Sequence, residues 1–524
     1  MTKPSPERPT GGTLHSEVHR NDDLHSDVLI VGGGPIGLTL AVLLRAHGVT
    51  VTVVEAHTAL STHPKARGIS ARSMETYRSV GLEPAIRQAA LPRDEIRFFR
   101  GDTLVDPQFS RSDPPATHGS DATPAPGVLC SQDALEPVLL AAARDAGADV
   151  RFGQRVTDLS QDQVGVSAVV ETGDGQRTLR ARALIGCDGA GSTVRRAAGI
   201  PLQGERGLAR FLSIRVVADL TEVVRDRAAA SYFLTGGKGG FLAVDNRTNW
   251  VYQYPLPEGN DGTQLADDPA ALVRLVRDAA GIPDLAVEVR DTMVWRMDAR
   301  IADTYRAGRV FLAGDAAHQT PPTGGHGMNV GIGDADTLAW QLAAVLQGEA
   351  GEELLDAYSA ERRPVGETII AISRGNFAGQ YGIDDELLLG THYGAAEPIA
   401  AGAYAPSGAV GRRLPHARIT GEPRGASTLD LVARDWLVVL ADSRANGAAW
   451  ATAAERAAVG FTALAQPEQF AERAGLAGHA MDDAVGLLVR PDGHIAARLV
   501  QPDEITAALA AAMRGAPTGA PARP

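Results

Sequence analysis

Cysteine is scarce in this chain of 524 residues, which contains only Cys130 and Cys187. Two cysteines cannot form a disulfide framework or a cysteine-rich metal site, and such scarcity is typical of proteins in a reducing cytoplasm. The zinc-protease pattern His-Glu-x-x-His is also absent, and the 13 histidines are scattered along the chain. We therefore expect a cytoplasmic protein without a metal site.

Positive charge and long apolar runs are lacking as well. The formal net charge is −13, whereas a protein that binds nucleic acid usually has a basic surplus or a basic stripe. No apolar stretch approaches the roughly 20 residues of a membrane-spanning helix. Residues 1–26 are polar and contain no apolar core of a signal peptide, so we expect a disordered leader. Neither nucleic acid nor a membrane is an expected partner.

A glycine-rich turn near the N-terminus predicts a dinucleotide site. Residues 28–31 form an apolar run typical of a buried parallel strand, and Gly32, Gly34 and Gly37 follow with the spacing G-x-G-x-x-G. The first glycine permits a tight turn, the second lets the backbone approach a pyrophosphate, and the third lets the next helix pack closely. That helix, which ends at Gly48, offers its N-terminus to the phosphates.

The acid that ends the second predicted strand narrows the choice of nucleotide. Residues 51–54 are followed by Glu55, whose carboxylate can accept hydrogen bonds from ribose hydroxyls and disfavours a 2′-phosphate. This turn therefore favours NAD or FAD over NADP. A glycine-rich turn without a ligand is the simpler alternative, but it gives no reason for an acid at this position.

Two later motifs favour FAD over NAD. The apolar run 183–186 leads to Asp188 and to a helix that Ser192 can cap. The run 310–313 leads to Asp315, and a loop rich in proline and glycine then opens a long helix. An aspartate can take the ribityl hydroxyls of an extended FAD, and a helix N-terminus can face the ring edge where negative charge develops on reduction. An NAD dehydrogenase needs no second strand of this kind.

Together the three motifs resemble those of the class A FAD-dependent aromatic monooxygenases, the p-hydroxybenzoate hydroxylase type. The segments 64–82, 131–140 and 354–365 are similar to family segments and occur in the same order. The resemblance runs from about residue 27 to residue 375. It is strongest to the hydroxylases that tailor aromatic polyketides, among them the aklavinone hydroxylases, and to phenol and chlorophenol hydroxylases.

The resemblance implies that one extended FAD is held by residues far apart in the chain. The glycine turn and Glu55 would hold its adenosine end, Arg67 would lie on the loop over it, and Asp315 would take the ribityl or pyrophosphate region. Gln132 would contact the flavin chain, and Asp188 belongs to a motif linked to both FAD and the passing NAD(P)H. The full predicted set is Gly32, Gly34, Pro35, Gly37, Glu55, Arg67, Gln132, Asp188, Asp315, Pro322, Gly325, Met328 and Asn329, of which the last four would border the isoalloxazine.

One segment departs from the family pattern. Residues 321–327, the proline- and glycine-rich loop that would border the flavin ring, are called the ring loop below. After this loop the family often has Asn-Leu-x-Trp-Lys-Leu, where this chain has Thr-Leu-Ala-Trp-Gln-Leu at residues 337–342. Any contact made by that asparagine or lysine is therefore in doubt. No chemistry is assigned to His326, and no catalytic residue is named.

The middle of the chain has a different residue pattern from the rest. Residues 250–254 alternate and are aromatic, as in a strand with two different faces, and residues 245–247 form a predicted turn. We expect an antiparallel sheet over the flavin ring, with one face against the protein and the other lining an apolar pocket for a flat aromatic substrate. Five side chains could line it, although each also suits plain sheet packing: Tyr232, Phe241, Tyr252, Tyr254 and Trp295.

The last region has the pattern of a small α/β unit. Residues 435–442 and 486–500 are predicted strands, the latter with a hairpin turn at 491–493, and Pro502 opens an alanine-rich helix. In the family this region resembles a thioredoxin-like domain. A working thioredoxin needs Cys-x-x-Cys, and no cysteine follows Cys187, so we expect a redox-inert domain with a structural or oligomerisation role.

The expected fold is α/β with mixed α+β character. A Rossmann-like FAD-binding domain, residues 27–205 and 301–404, is interrupted by an inserted antiparallel substrate sheet at 206–300. The thioredoxin-like domain follows at 405–524. A monomer or a homodimer is expected.

The implied reaction is hydroxylation of a small aromatic molecule, phenolic or polyketide-derived. NADPH or NADH would dock transiently and reduce the flavin, O2 would add to form a C4a-hydroperoxide, and an electron-rich ring would attack its distal oxygen. Three alternatives stay open: Baeyer–Villiger oxygenation by the same fold, a non-catalytic flavin-binding redox sensor, and an NAD dehydrogenase. A flavin halogenase is disfavoured, because the tryptophans never show its W-x-W-x-I-P spacing.

Overall fold

The computed structural model describes residues 26–91, 98–112, 121–377, 386–399, 404–419, 426–440, 446–464 and 486–515. The predicted leader lies outside these residues except for its last position. In the first part of the chain, short strands alternate with helices. Their bounds are β1 (Ser26–Val31), α1 (Pro35–Ala46), β2 (Val51–Glu55), β3 (Gly68–Ile69), α2 (Ala71–Ser79), α3 (Glu83–Ala89), β4 (Phe98–Gly101), β5 (Ser110–Ser112), β6 (Val128–Leu129), α4 (Gln132–Asp145), β7 (Asp149–Phe152), β8 (Arg155–Gln161), β9 (Val166–Thr172), β10 (Gly175–Gly186) and α5 (Thr193–Ala197).

The middle of the chain is dominated by two long strands and the shorter strands between them. The bounds here are β11 (Leu202–Val217), α6 (Thr221–Val224), β12 (Ser231–Leu234), β13 (Gly239–Ala243), β14 (Asn249–Pro255), α7 (Thr263–Ala266), α8 (Pro269–Ala280) and β15 (Glu288–Ala302). Two long helices follow, and the C-terminal unit then begins. The remaining bounds are β16 (Arg306–Ala307), β17 (Val310–Leu312), β18 (His318–Gln319), α9 (Gly327–Leu346), α10 (Leu354–Phe377), β19 (Leu437–Leu440), α11 (Gly447–Arg456), β20 (Gly460–Ala463), β21 (Gly486–Val489), β22 (Ile495–Leu499) and α12 (Glu504–Ala512).

Parallel strands form the centre of the first sheet, whose order is β16-β17-β10-β1-β2-β7, with β9 paired to β10 and β8 to β9. Strands β1 and β2 and the end of β10 are apolar on both faces and almost wholly buried, as expected for parallel strands that are covered by helices. Helix α1 packs against α4 and α9. These elements confirm the strands and the helix that were predicted around the glycine-rich turn.

The second sheet has the order β18-β15-β11-β14-β13-β12-β4-β5 and is antiparallel except for the β12–β4 pair. It is wider than the expected interval 206–300, because β4 and β5 come from residues 98–112 and β18 from residues 318–319. One face of this sheet packs against α8 and forms a core of its own. The other face meets the first domain, as described below.

The C-terminal unit is a four-stranded sheet with the order β20-β19-β21-β22. Strands β19 and β20 are parallel and joined through α11, while β21 and β22 form the predicted antiparallel hairpin. This strand arrangement is thioredoxin-like. The sequence of this unit contains no Cys-x-x-Cys motif. Among all described residues, no helix combines the length and apolar character that a membrane span requires.

A buried ion pair fastens this C-terminal unit to the first domain. The guanidinium of Arg413 donates to both carboxylate oxygens of Glu75 on α2, at 2.7 and 2.6 Å. The Arg413 side chain is 1% exposed and that of Glu75 is 4% exposed. The carboxylate of Glu75 raises the pKa of Arg413 above its ordinary value against the opposing effect of burial.

Replacing Glu75 by alanine should leave the Arg413 guanidinium buried without a counter-charge, which costs about 3–5 kcal/mol in comparable buried pairs. We expect this loss in the free energy of unfolding, measured by urea denaturation with tryptophan fluorescence. Glu222→Ala is the control, because Glu222 pairs with Arg225 on the exposed surface and should change stability little. Equal losses in the two variants would contradict the account.

Candidate functional site

The three predicted motifs meet at one edge of the first sheet. Strand pairing places Val31 opposite both Val54 and Gly186, and Gly186 opposite Leu312. Because these strands are parallel, their carboxyl ends lie together. The glycine turn, Glu55, the Asp188 motif and the Asp315 motif therefore all begin at the same edge, which is where open α/β sheets bind their ligands.

The glycine turn has the geometry that its spacing predicts. Gly32 has φ +110°, and a Cβ there would lie 2.3 Å from the carbonyl oxygen of Cys187. A Cβ on Gly37 would lie 1.9 Å from the carbonyl oxygen of Gly32, so α1 could not pack this closely with any other residue. At Gly34 nothing stands within 4 Å of that position. Pro35 begins α1, where its missing N–H costs nothing, so the backbone here faces open space at a helix N-terminus.

Glu55 ends β2 beside this turn, and its carboxylate is already partly engaged. It accepts hydrogen bonds from the backbone N–H of Gly33 at 2.7 Å and from the backbone N–H of His57 at 2.8 Å. Burial opposes ionisation, but these hydrogen bonds and the His57 ring lower the pKa of Glu55 below its ordinary value. The group is therefore an anion at neutral pH, with the acceptor capacity that a ribose would need.

Asp315 is the carboxylate that fits a ligand best. Burial raises its pKa, although the charges of His318 and Lys65 act in the opposite direction. Asp315 is nevertheless exposed to solvent, just past the end of β17 at the sheet edge. No hydrogen bond from the described residues reaches this carboxylate. An extended cofactor that offers hydroxyl donors would satisfy it, so the site fits FAD.

Two other predicted residues have their side chains bound within the protein. Asp188 caps α5: it accepts from the Ser192 hydroxyl at 2.5 Å and from the next two backbone N–H groups at 2.7 and 3.0 Å. The side-chain amide of Gln132 donates to Glu136 at 2.6 Å. Direct contact of either side chain with a cofactor stays a prediction.

The predicted ring loop lies at the N-terminus of α9. Pro322 and Gly325 are exposed and Met328 is half-buried. Gly325 has φ +72° and open space around it. These residues are therefore accessible to solvent.

Asn329 has a different environment, since its amide is fully used by the protein. Its oxygen accepts from the Ser70 N–H and the Ser73 hydroxyl, both at 2.8 Å. Its nitrogen donates to the carbonyl oxygens of Gly68 and Gly325, both at 2.9 Å. The side-chain amide of Asn329 thus ties the ring loop to the strand β3, which follows Arg67.

Sequence reasoning missed the buried charge beneath this loop. Asp334, which is inaccessible to solvent, accepts from the Gly314 N–H at 3.1 Å, from His318 Nε2 at 2.7 Å and from Arg362 Nε at 2.9 Å. Burial alone would raise the pKa of Asp334, but His318 and Arg362 lower it below its ordinary value. The sequence did contain one signal, an acid on the apolar side of α9. It gave no sign that the partner of this acid is Arg362 on α10.

The loop that carries Arg67 is fastened to the second sheet. The Arg67 guanidinium donates to the carbonyl oxygens of Ala230 and Ala243 at 2.7 and 2.9 Å, and to the Ser231 hydroxyl at 2.8 Å. Burial lowers the pKa of Arg67 to about 10. His63, on the same loop, bonds to Ser213 on β11 and Asp291 on β15. Sequence reasoning did not single out His63.

The expected pocket lining needs a correction. Tyr232, Phe241 and Tyr252 are buried in the core between the second sheet and α8, and Tyr254 lies on the same side. Residues two apart in a strand share a face, so these four side chains point away from the loop of Arg67 and His63. The alternation of residues in these strands was predicted. The sequence does not say which of the two faces of the sheet turns towards the cofactor.

The opposite face is the one that meets the loop. Ser213 on β11 lies there, as its contact with His63 requires, and Phe211 shares its side of the strand. Trp295 pairs with Phe211 across the strands, and their rings stack with centroids 4.6 Å apart and an interplanar angle of 13°. Gln253 and Met293 flank this pair. Of the five predicted lining residues, only Trp295 is on this side, which meets the loop of His63.

Comparison with protein families decides the assignment. Residues 25–373 match the model of an FAD binding domain, and residues 407–517 match that of an aromatic-ring hydroxylase C-terminal domain. The chain belongs to the FAD-dependent aromatic-ring hydroxylases. FAD, and not NAD, is therefore the cofactor of this hydroxylase, and NAD(P)H and O2 are its co-substrates. The alternatives of an NAD dehydrogenase and a non-catalytic sensor are set aside.

Individual relatives of this hydroxylase are similar over almost the whole chain. The tetracenomycin B2 monooxygenase-dioxygenase of Streptomyces olivaceus is 37% identical, with 91% of this chain and 96% of that protein covered. The aklavinone 12-hydroxylase of Streptomyces purpurascens is 34% identical, with 94% and 98% covered. Among solved structures, aklavinone-11 hydroxylase in complex with FAD and aklavinone has a TM-score of 0.82 at 32% identity, covering 94% of this chain and 98% of that one.

Asp315→Asn should weaken FAD retention by this hydroxylase while stabilising the apoprotein. Because burial raises the pKa of Asp315, the folded state binds its proton more tightly than the unfolded state does, so ionisation destabilises the fold as pH rises. The variant should therefore melt at a higher temperature than wild type at neutral pH. The difference should shrink as pH falls through the raised pKa.

Thermal melting of the apoproteins across pH, together with FAD absorbance of the purified proteins, checks this expectation. Asp303→Asn is the control, because Asp303 is an exposed carboxylate in the same part of the chain. Normal flavin content in Asp315→Asn would contradict the role given to this residue.

Proposed function

We propose that the protein hydroxylates a planar polycyclic phenol of the aromatic polyketide class, bound between FAD and the second sheet. The observation that carries this proposal is the stacked pair of Phe211 and Trp295 on the side of the second sheet that meets the loop of His63. Both side chains are half-buried, and since their rings face each other, the pair offers ring edges and outer ring faces as an apolar wall. A fused aromatic ring system can contact such a wall edge-to-face or by offset stacking on an outer ring face.

The similar proteins support the same substrate class. Their names include two tetracenomycin monooxygenase-dioxygenases and several aklavinone 12-hydroxylases, and one solved neighbour holds aklavinone beside FAD. A further relative, the 4-methyl-5-nitrocatechol 5-monooxygenase of a Burkholderia species, is 34% identical. An experiment should therefore compare polycyclic phenols with single-ring phenols as substrates.

When bound and reduced by NAD(P)H, FAD would activate O2, of which one oxygen atom enters the ring and the other leaves as water. The residues of the chain bind and orient. Asp315 and the turn at Gly34 would hold the cofactor at the sheet edge, and the N-terminus of α9 would face the flavin ring with the positive end of its dipole. Arg67 joins the loop over the cofactor to the sheet that carries the substrate, so both reactants are held by one connected structure.

The purified protein should oxidise NAD(P)H faster when a polycyclic phenol is present, and the product should gain one oxygen atom. Single-ring phenols and nitrocatechols should stimulate less, because they cover only part of the Phe211–Trp295 wall. Stopped reactions analysed by mass spectrometry, with NADH and NADPH compared, check both points. Stimulation by nitrocatechols alone, or NADH oxidation that gives only peroxide with every polycycle, would contradict the proposal.

The scarcity of cysteine continues to favour a cytoplasmic protein, and the acidic net charge of −13 continues to favour a small molecule over nucleic acid as the partner. A monomer or a homodimer is proposed.

A further inference from the structure

A row of hydrogen bonds crosses the side of the second sheet that meets the loop of His63. Asp291 on β15 bonds to His63 Nδ1, and His63 Nε2 bonds to the Ser213 hydroxyl on β11 at 2.7 Å. Gln253 Nε2 on β14 donates to the same hydroxyl at 2.9 Å, and Trp295 Nε1 donates to Gln253 Oε1 at 3.0 Å. The row therefore runs from the partly exposed Asp291 to the aromatic wall of the proposed pocket.

The chemistry of the two ends sets the direction of the outer bonds in the row. The indole N–H can only donate, so the amide of Gln253 must turn its oxygen to Trp295 and its nitrogen to Ser213. At the other end the carboxylate of Asp291 can only accept, so His63 Nδ1 donates to it. The Gln253 amide therefore has only one orientation that suits both of its neighbours.

The amide of Gln253 keeps unused capacity. A glutamine side chain can donate two hydrogen bonds and accept two, and the row uses one of each. The second N–H and the second lone pair meet no partner among the described residues. Gln253 is half-buried and shares the side of the sheet that bears Phe211 and Trp295. It is thus a polar group of fixed orientation beside the Phe211–Trp295 pair.

We propose that Gln253 recognises the phenolic hydroxyl of the substrate, donating to its oxygen and accepting its hydrogen, and that Trp295, Ser213 and His63 with Asp291 position the amide for this contact. This inference rests on the proposed function. A hydroxyl offers both a donor and an acceptor to the amide, whereas its methyl ether offers an acceptor only. The contact would also fix which ring carbon is presented to the flavin, since the hydroxyl anchors the flat substrate at one point.

Two probes of the same ring size test the proposal on the FAD-loaded enzyme: 2-hydroxyanthraquinone and 2-methoxyanthraquinone. Dissociation constants come from the change that each probe causes in the flavin absorbance spectrum. We expect wild type to bind the hydroxyl probe about tenfold more tightly, the effect of roughly one well-made hydrogen bond. In Gln253→Leu this preference should vanish, and the methoxy probe, which can only accept from the amide, should lose less affinity than the hydroxyl probe.

Trp295→Phe is the second variant. It keeps a ring against Phe211 but removes the N–H that orients the amide, so the hydroxyl preference should fall to an intermediate value. Gln176→Leu is the matched control, since Gln176 is exposed on β10 and the same substitution there should leave the tenfold preference intact. FAD content and melting temperature are measured for every variant, so that a misfolded protein is recognised.

The outcomes separate this inference from the proposed function. If Gln253→Leu and Trp295→Phe both retain FAD and the full hydroxyl preference, Gln253 does not recognise the hydroxyl, although hydroxylation of polycycles would stand. If wild type binds neither probe and no polycyclic phenol stimulates NAD(P)H oxidation, the proposed function fails and the inference fails with it.

Discussion

The structure depends on one geometric constraint: three segments far apart in the chain must end at the same edge of a parallel sheet. The pairing of Val31 with Val54 and Gly186, and of Gly186 with Leu312, meets this constraint. The apolar strands that make these pairs are almost wholly buried, so the edge is rigid. The groups that follow the strands can then face a single elongated ligand without any further folding of the chain.

Around that edge, most polar side chains are used to fix loops and few are left for ligands. Asp334 holds the turn at Gly314, and Asn329 holds the ring loop. Arg67 ties the first domain to the second sheet. Asp315 differs from these residues because burial raises its pKa while the protein offers it no hydrogen bond. Its exposed position and unused acceptor capacity suit the hydroxyl donors of a bound FAD.

The sequence predicted the local parts of this arrangement. A strand, a glycine turn and a terminal acid are encoded within about 30 residues, so the nucleotide turn was readable from spacing. The helices after Pro35 and Gly327 and the C-terminal hairpin were readable for the same reason. Two later aspartate motifs favoured FAD over NAD, and the family resemblance added the long-range order of these parts.

The contacts between distant segments were not predictable from one sequence. The pairing of Arg413 with Glu75 joins residues 338 positions apart, and the bond of Arg362 to Asp334 joins two helices. Alternation in β12 to β14 predicted two faces without saying which one meets the cofactor, and the aromatic side chains of Tyr232, Phe241 and Tyr252 lie on the core side. Ser213 and Gln253 carry no motif, and only their shared face shows their relation to Trp295.

A crystal structure of the FAD-bound protein tests the central claim most directly. The account predicts a flavin that extends from Gly34 past the carboxylate of Asp315 to the N-terminus of α9, with its ring turned to the side of the sheet that bears Trp295. A ring bound on the α8 side of that sheet, or a cofactor path that leaves Asp315 without a contact, would contradict it.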